Sequence, residues 1–282
     1  SVWILLNVFS SQYTYGNFGG ILVLPFAKGV THSFILLVVS TVMMIAILYA
    51  SRRGRVPKIR KIAAIDAIDE AVGRATEMGR PVHFTPGIGD FYGYDAPMTI
   101  AGISVLGYAA RKVAEYNTPL IVTFAAPEVE PVITDVVRQA YLAAGRPEAF
   151  DPEGIRYVSG RQFAYTSAVV GILHREKVAA NLMIGYFAGE SMIIAEAGFL
   201  GGAIQVGGTA NTYQIPFFVV ACDHVLISEE LYAAGAYLSK DPVQLAAIAG
   251  QDWVRLIAAA LTIVGALLAT FGIPLIADFF KM

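Results

Sequence analysis

Cysteine and charge are what this chain has least of. Of its 282 residues only Cys222 is a cysteine, and charged residues make up 15%, against about 25% in a typical soluble domain. A single cysteine excludes an intramolecular disulfide and a zinc site built from cysteines, and it suits a reducing compartment. Hydrophobic residues reach 56%, above the usual share of about 45–50%, which favours contact with lipid.

Two stretches of the chain contain no charged residue at all. The first runs from Ser33 to Ser51 and the second from Leu256 to Ala277. Because a helix rises about 1.5 Å per residue, about 20 apolar residues cross a hydrocarbon core of roughly 30 Å. The sequence therefore predicts transmembrane helices over residues 33–51 and 253–278, the second anchored at the interface by Trp253. Residues 279–282 are then a short outer tail.

Basic residues are concentrated directly after the first predicted span, in a segment that we call the basic collar (residues 52–61). It consists of Arg52, Arg53, Arg55, Lys58, Arg60 and Lys61. Cationic segments stay on the cytoplasmic side and attract anionic lipid headgroups, so these residues are predicted to anchor the chain at the inner surface of the membrane. The N-terminus and the C-terminus are then outside.

The region between the two spans is acidic. Residues 62–252 contain 11 lysines and arginines against 21 aspartates and glutamates, a net charge of −10. A surface of this sign repels nucleic acid and anionic lipid. We therefore expect residues 62–252 to form a cytoplasmic domain without a nucleic-acid partner, while the spans and the basic collar contact the lipid bilayer.

Residues 1–32 are apolar, aromatic and rich in glycine, and Lys28 is their only formal charge. None of their apolar runs is long enough to span a bilayer. Segments of this kind lie in the membrane interface or pack on a neighbouring subunit, so we expect an extracytoplasmic or interfacial segment and a homo-oligomer or larger membrane complex. The first residue is Ser1, which leaves open whether a signal peptide was removed.

Within the acidic region, short apolar strands alternate with helical patterns. Strands are predicted at residues 82–85, 120–125, 155–158, 178–184, 201–206 and 217–222, and helices at 62–78, 97–116, 132–144, 162–174, 190–197 and 228–238. This alternation predicts a doubly wound α/β domain with a mostly parallel sheet, inserted between an N-terminal and a C-terminal transmembrane helix. The alternative, that residues 179–200 enter the membrane, would bury Glu190 and Glu196 in lipid at high cost.

The glycine-rich loop after the first strand is the most suggestive candidate binding site. Gly87 and Gly89 follow a strand and precede a helix, where backbone amides can approach a phosphate. Asp90 would repel an anion, however, and neither a third glycine at dinucleotide spacing nor a Lys-Ser/Thr pair follows. A tight structural turn is the alternative that this sequence favours.

A second group of candidates lies further along the chain. Gly207, Gly208 and Thr209 form a stretch in which another backbone or a ligand can approach closely, although chain geometry alone also explains paired glycines. Asp223 follows a predicted strand, where α/β folds bind ligands. His83 and His174 are isolated histidines, which are more often structural than catalytic.

Several catalytic signatures are missing. The sequence has no nucleophile elbow, no zinc-protease helix and no complete phosphate-binding loop. We therefore predict no catalytic residue, no metal site and no cofactor, although an unfamiliar enzyme stays possible.

The order of these parts resembles a known family. The resemblance rests on four parts of the chain: the first apolar span with the basic residues that follow it, residues 62–87, Pro216 to Asp223, and Glu229 to Ser239. Together they resemble an uncharacterised family of prokaryotic integral membrane proteins that is known only as a domain of unknown function. The resemblance covers most of the chain from about residue 30. It implies a location in the cytoplasmic membrane of a prokaryote, and it supplies neither an activity nor a functional residue.

Three functional hypotheses follow from the sequence. The first is a membrane-anchored, self-associating scaffold or accessory subunit without catalytic activity. The second is a cytoplasmic domain that binds a nucleotide or another small molecule, which requires the loops at Gly87–Asp90 and Gly207–Asp223 to meet at one end of the sheet. The third is a component of an oligomeric transport pore. Because the stretches 33–51 and 256–277 contain no charged residue, such a pore would need many copies.

Overall fold

The computed structural model describes residues 31–53, 62–239 and 242–272. The chain divides into two compact units, one formed by residues 1–58 with 242–282 and the other by residues 59–241. The predictions for residues 1–30 and 273–282, and for Arg55, Lys58, Arg60 and Lys61 of the basic collar, lie outside the described residues.

The described elements follow one another along the chain in a regular order. They are α1 (Thr31–Arg52), α2 (Ala63–Met78), β1 (Val82–Gly87), α3 (Ala96–Tyr116), β2 (Leu120–Phe124), α4 (Glu130–Ala143), β3 (Ile155–Tyr157), α5 (Gln162–Glu176), β4 (Ala180–Tyr186), α6 (Glu190–Leu200), β5 (Ile204–Thr209), α7 (Ile215–Ala221), β6 (His224–Ile227), α8 (Glu229–Ser239) and α9 (Pro242–Thr270). Short 3₁₀ turns precede α4 and β3.

The first unit contains the two apolar helices α1 and α9, which pack against each other. Ser51 Oγ donates a hydrogen bond of 2.6 Å to the carbonyl of Pro242. Gly250 lies so close to Met44 that a β-carbon added there would collide with the Met44 sulfur, and such small residues let membrane helices approach closely. A groove of about 580 Å³ lies between the helices, and its lining includes Leu36 and Gly265.

Both helices are long and apolar enough to cross a membrane, over Phe34–Arg52 and Leu245–Thr270. Residues 242–252, which the sequence assigned to the central domain, are the first part of α9. Trp253 is 56% exposed on that helix. Arg53 stacks on the ring of Tyr49 at 4.4 Å, and Arg52 ends α1.

The second unit is built on a six-stranded parallel sheet with the strand order β3-β2-β1-β4-β5-β6. Every described pairing is parallel, including β1 with β2, through Val82 opposite Leu120, and β1 with β4, through Val82 opposite Ala180. This is the order of a doubly wound dinucleotide-binding sheet. The predicted α/β fold class is confirmed.

Two apolar layers cover the sheet. The first consists of α2, α3, α4 and α8, which pack on strand residues such as Phe84, Val122 and Leu182. The second consists of α5, α6 and α7, which pack on Met183 and Phe187. Both faces of each central strand are therefore buried, which explains why the strands read as continuous apolar runs.

Helix α2 shows how the sequence sets these elements. Its buried side chains recur at spacings of three and four residues, among them Ile65, Ile68 and Val72. The helix ends because Gly79 adopts a left-handed conformation with φ of 61°, and the Arg80 amide donates a hydrogen bond of 3.0 Å to the carbonyl of Ala75. Glycine tolerates this conformation best, so Gly79 ends the helix where the sequence predicted.

Part of the predicted secondary structure was wrong. Residues 217–222 were predicted as a strand, but Ile215–Ala221 form helix α7. The run is apolar on both faces of that helix, since Phe218 is buried while Val219 and Val220 are exposed, so no periodicity showed the helix. The strand predicted at residues 201–206 lies at Ile204–Thr209, and β6 at His224–Ile227 was missed.

Candidate functional site

The strand order reverses between β1 and β4, and this reversal defines the candidate site. The helix that follows β1 covers one face of the sheet, and the helix that follows β4 covers the other. A crevice therefore opens where the carboxyl ends of the two strands diverge, which is where open α/β sheets bind ligands.

Two glycines let the strand ends touch at this point. A β-carbon at Gly87 would collide with the carbonyl oxygen of Tyr186, and one at Gly185 would collide with the carbonyl oxygen of Pro86. Gly87 also has a φ of 86°, which other residues rarely adopt. The Ile88 amide donates a hydrogen bond of 3.0 Å to the same Tyr186 carbonyl. We call this backbone contact the seam.

The loop after the seam uses its own carboxylates to bind its amides. Asp90 Oδ1 accepts hydrogen bonds from the amides of Tyr92, at 2.7 Å, and Gly93, at 3.1 Å. Asp95 Oδ2 accepts one from the amide of Asp90 at 3.1 Å. These three amides are already hydrogen-bonded within the loop. A phosphate placed there would also be repelled by the carboxylates of Asp90 and Asp95. The loop is thus closed by its own carboxylates, as in a tight structural turn.

A pair of tyrosines lies over the seam. The hydroxyls of Tyr94 and Tyr186 are hydrogen-bonded, and their rings meet edge to face, with centroids 5.5 Å apart. Burial raises the pKa of Tyr186, and the hydrogen bond with Tyr94 and the carboxylates of Asp95 and Glu190 raise it further. Tyr186 therefore stays protonated at neutral pH, with its hydroxyl hydrogen-bonded to that of Tyr94.

Glu190 is a buried carboxylate at the start of α6, with only 1% of its surface exposed. Its Oε1 accepts a hydrogen bond of 2.8 Å from the Ala188 amide, and its Oε2 accepts one of 2.6 Å from Gln162 Nε2. The N-terminus of a helix stabilises a negative charge there. Glu190 thus places a fixed acceptor beside Tyr186.

The loop after β5 is tied to the same edge. Thr209 Oγ1 accepts a hydrogen bond of 3.2 Å from the Asn211 amide, and Asn211 Nδ2 donates one of 2.8 Å to the carbonyl of Phe187. Ser191 Oγ donates to Gln214 Oε1 at 2.8 Å. Thr209 therefore lies at the same carboxyl edge of the sheet as Gly87, Gly89 and Asp90.

Gly207 and Gly208 lie inside the sheet and not in the crevice. A β-carbon at Gly207 would collide with the ring of Phe218, and one at Gly208 would come within 3.1 Å of Ile184 and Leu226 side-chain atoms. Their hydrogens make room for the apolar side chains of both layers. The structure assigns these two glycines to the core.

Asp223 lies at the opposite, amino edge of the sheet. Its Oδ2 accepts a hydrogen bond of 2.8 Å from the amide of Gln205, at the start of β5. The expected position was wrong because the strand predicted before Asp223 is a helix, which returns the chain to the amino edge. Beside it, burial and the charge of Asp223 raise the pKa of the Cys222 thiol to about 12.

A row of buried polar side chains crosses the sheet beneath the crevice, and we call it the polar row. It consists of Thr85, Tyr165, Thr123, His83, Asn181 and Gln205. His83 Nδ1 lies 2.8 Å from Asn181 Oδ1, and its Nε2 lies 2.9 Å from Thr123 Oγ1. Burial lowers the pKa of His83 to about 4, so the ring is neutral at pH 7.

The sequence did not single out Tyr94, Tyr186, Glu190 or Gln162 as site residues. One signal was present, since Tyr186 and Glu190 lie in a short segment with two glycines, Gly185 and Gly189, directly after a predicted strand. The other signal, the reversal of strand order, depends on which strands pair, and a single sequence does not show that.

Two further features bear on chemistry. A cavity of about 500 Å³ lies at the amino edge of β2 and β3, beside an ion pair of 3.2 Å between Arg156 and Glu176. Among residues 31–53, 62–239 and 242–272, no cluster of three or more histidines, cysteines or carboxylates has the arrangement of a metal site.

Comparison with known proteins identifies the chain at the level of a family. Neither a curated protein nor a solved structure matches it. Residues 25–280 match the model of a family described as a domain of unknown function, DUF6754. That match spans most of the 282 residues, including both apolar helices and the whole sheet. The chain therefore belongs to the DUF6754 family.

Proposed function

We propose that this protein is a membrane-anchored ligand-binding protein. Its α/β unit binds a small, uncharged or cationic molecule with a planar group in the crevice over β1 and β4. The observation that carries the proposal is the reversal of strand order at the seam, where the Tyr94–Tyr186 pair lies beside the carboxylates of Asp95 and Glu190.

Charge supports this ligand class over a nucleotide. The segments that directly follow the six strands contain a single basic residue, Arg161. Their acidic residues are Asp90, Asp95, Glu128, Glu130, Glu190, Glu229 and Glu230. A rim of this sign attracts cations and repels phosphates. For this reason we propose a ligand without an anionic group instead of the nucleotide that the sequence suggested.

Exposed aromatic side chains at the same edge support a planar ligand. Tyr92 is 84% exposed, Tyr94 78% and Tyr213 83%. Aromatic faces hold planar groups by stacking, and they hold cations at about 0.5–1 kcal/mol per exposed contact. Three exposed rings at this edge of the sheet favour a ligand with a planar or cationic group.

The location is part of the same proposal. Helices α1 and α9 have the length and composition to cross a membrane. Because the basic collar follows α1, we place the α/β unit in the cytoplasm and both ends of the chain outside, in the cytoplasmic membrane of a prokaryote. The small ligand is then a cytoplasmic one.

A fragment screen on the full chain in lipid nanodiscs tests the proposal. Neutral, cationic and anionic aromatic fragments are compared by ligand-observed NMR. We expect neutral and cationic fragments to bind and to compete with one another. Tyr94→Ala should weaken their binding roughly tenfold, because it removes one ring and the hydroxyl partner of Tyr186.

Tyr116→Ala is the matched control. Tyr116 is also exposed, at 48%, but it ends α3 at the opposite edge of the sheet. Fragment binding should be the same in this variant as in the wild type. A screen whose hits are mainly anionic, or whose hits respond equally to both variants, would overturn the proposal.

The scaffold and transport-pore hypotheses from the sequence stay predictions. The scaffold hypothesis requires a surface for self-association. The pore hypothesis requires a polar path between copies, and the aspartates, glutamates, lysines and arginines of α1 and α9 are Arg52, Asp252 and Arg255. The crevice is the better-supported feature.

A further inference from the structure

Helices α6 and α7 expose a continuous group of apolar side chains, which we call the α6–α7 patch. It consists of Met192, Ile193, Phe199 and Leu200 of α6 and Phe217, Val219 and Val220 of α7. Val220 is 88% exposed, Phe199 73% and Leu200 70%. The two helices pack against each other on the same face of the sheet, so the side chains share one surface.

The patch arises because α6 is apolar on both sides. Ile194, Ala195 and Ala197 face the sheet, whereas the exposed apolar residues recur one turn or two turns apart on the outer side. A helix that is apolar all round is ordinarily buried. In α4, by contrast, the exposed side carries Asp135 and Arg138, as expected for a helix that faces water.

The size of the patch matches a protein interface. Its seven side chains are between 43% and 88% exposed. Monomeric proteins seldom expose apolar patches of more than about 300–600 Å², and a standard interface takes about 800 Å² from each partner. A group that contains two phenylalanines and five aliphatic side chains approaches the second value and supplies the apolar centre that interfaces need.

The charge of the patch argues against lipid as the occupant. No lysine or arginine occurs between Lys177 and Lys240, whereas Glu196 is exposed within the patch. Anionic headgroups are not attracted to such a surface.

We propose that the α6–α7 patch is a self-association surface that a second copy of this chain covers. A two-fold dimer needs only one self-complementary patch, and such dimers are the commonest assemblies. Copies that share a membrane are also confined to a plane, which raises their effective concentration. The outer side of α6 and α7 carries no lysine or arginine, and Glu196 is its one exposed charged residue, so a second copy that covers the apolar side chains buries no unpaired cation.

Mass measurement of the full chain in mild detergent, over a range of concentrations, tests the proposal. The wild type should be dimeric. Leu200→Glu and Val220→Glu should each weaken dimerisation by roughly 100-fold, because they place a charge in the desolvated centre. The matched control is Leu142→Glu, since Leu142 is 49% exposed on α4 in the opposite layer. This control should remain dimeric.

A second route to association runs through the membrane helices, and Gly265→Leu separates it. Gly265 lines the groove between α1 and α9, where a larger residue would block close helix packing. The proposal expects the dimer to survive this change. A dimer that Gly265→Leu dissociates and Leu200→Glu does not would overturn it, as would a wild type that is monomeric at every concentration.

Chemical cross-linking keeps the proposal testable if a glutamate variant fails to fold. Cys222 is the only cysteine, so Cys222→Ser provides a background without thiols. In that background, Leu200→Cys should cross-link into dimers with a short bis-maleimide in native membranes, and Leu142→Cys should not. Equal cross-linking at both positions, or none at Leu200→Cys, contradicts a patch that a second copy covers. A third result would also contradict the proposal. If lipid vesicles, added to purified monomeric Leu200→Cys protein, protect the thiol from maleimide, then lipid covers the patch and not a second copy.

Discussion

At the scale of single residues, the polar row has a fixed direction. Its two ends are backbone groups, since the amide of Gly87 donates to Thr85 Oγ1 at 2.9 Å and the carbonyl of Ala221 accepts from Gln205 Nε2 at 2.8 Å. A donor at one end and an acceptor at the other orient every hydrogen bond between them. His83 therefore carries its proton on Nδ1 and accepts a hydrogen bond at Nε2.

The pKa of His83 predicts how stability depends on pH. The folded value of about 4 lies below the ordinary value of 6.5, so between these pH values the unfolded chain binds a proton that the folded chain does not. This contribution to stability is fully present above pH 6.5 and is lost as pH falls towards 4. It amounts to about 3 kcal/mol over the whole window.

The substitution His83→Gln tests this contribution. Glutamine does not titrate, so the variant should lose less stability than the wild type between pH 7 and pH 4.5, measured by denaturant unfolding in detergent. It should also be less stable at pH 7, by about 1–3 kcal/mol, because the polar row is disturbed. His174→Gln, at an exposed histidine, should keep the wild-type pH dependence. If the free energy of unfolding of His83→Gln falls with pH as steeply as that of the wild type, His83 is not the source of the pH dependence.

At the scale of elements, α3 lies unusually close to β4. A β-carbon at Gly102 would collide with the backbone carbonyl of Ile184, which cannot move aside as a side chain can. Glycine at this helical position therefore sets the distance between the helix and the sheet at the edge of the crevice.

Gly102→Ala should destabilise the protein by about 1–3 kcal/mol, because the helix must shift away from the strand. Gly73→Ala is the matched comparison, since Gly73 lies within α2 with open space around it. There alanine should stabilise the protein by about 0.5–1 kcal/mol through its helix propensity. Thermal unfolding in detergent measures both, and equal effects would show that the collision is relieved at no cost.

The sequence predicted those helices and strands whose position is determined by a local pattern of residues. Helix α2 was visible from Ile65, Ile68 and Val72 at helical spacing, and its end from Gly79. Helix α7 was not, because apolar residues face both the sheet and the solvent, so the run matched a buried strand as well.

The same limit applies to the candidate site. The loop from Gly87 to Asp90 follows its strand directly, so local sequence located it. Tyr186 and Glu190 join that loop only because β4 pairs with β1, although 97 residues of chain lie between Gly87 and Gly185 in the sequence. Pairings of this kind are not encoded in any short stretch, which is why the site was found only in part.

At the scale of the whole molecule, the proposed topology predicts which residues are accessible from outside the cell. In a Cys222→Ser background, Thr212→Cys lies on an exposed loop of the α/β unit. An impermeant maleimide should label it only after the membrane is opened. Lys281→Cys, beyond the second span, should be labelled in intact cells. Labelling of Thr212→Cys in intact cells would reverse the proposed orientation.

The seam has a consequence for the manner of recognition. Where Gly87 meets Tyr186 and Gly185 meets Pro86, the two main chains are already in contact. The backbone at the floor of the crevice therefore has no room to move closer together when a ligand binds. Tyr94 above this floor is 78% exposed, and exposed side chains change rotamer fast, on the order of nanoseconds or less. For the ligand proposed above, we therefore expect selection by the shape of the crevice floor and adjustment by side-chain rotation, without a slow closing motion of the backbone.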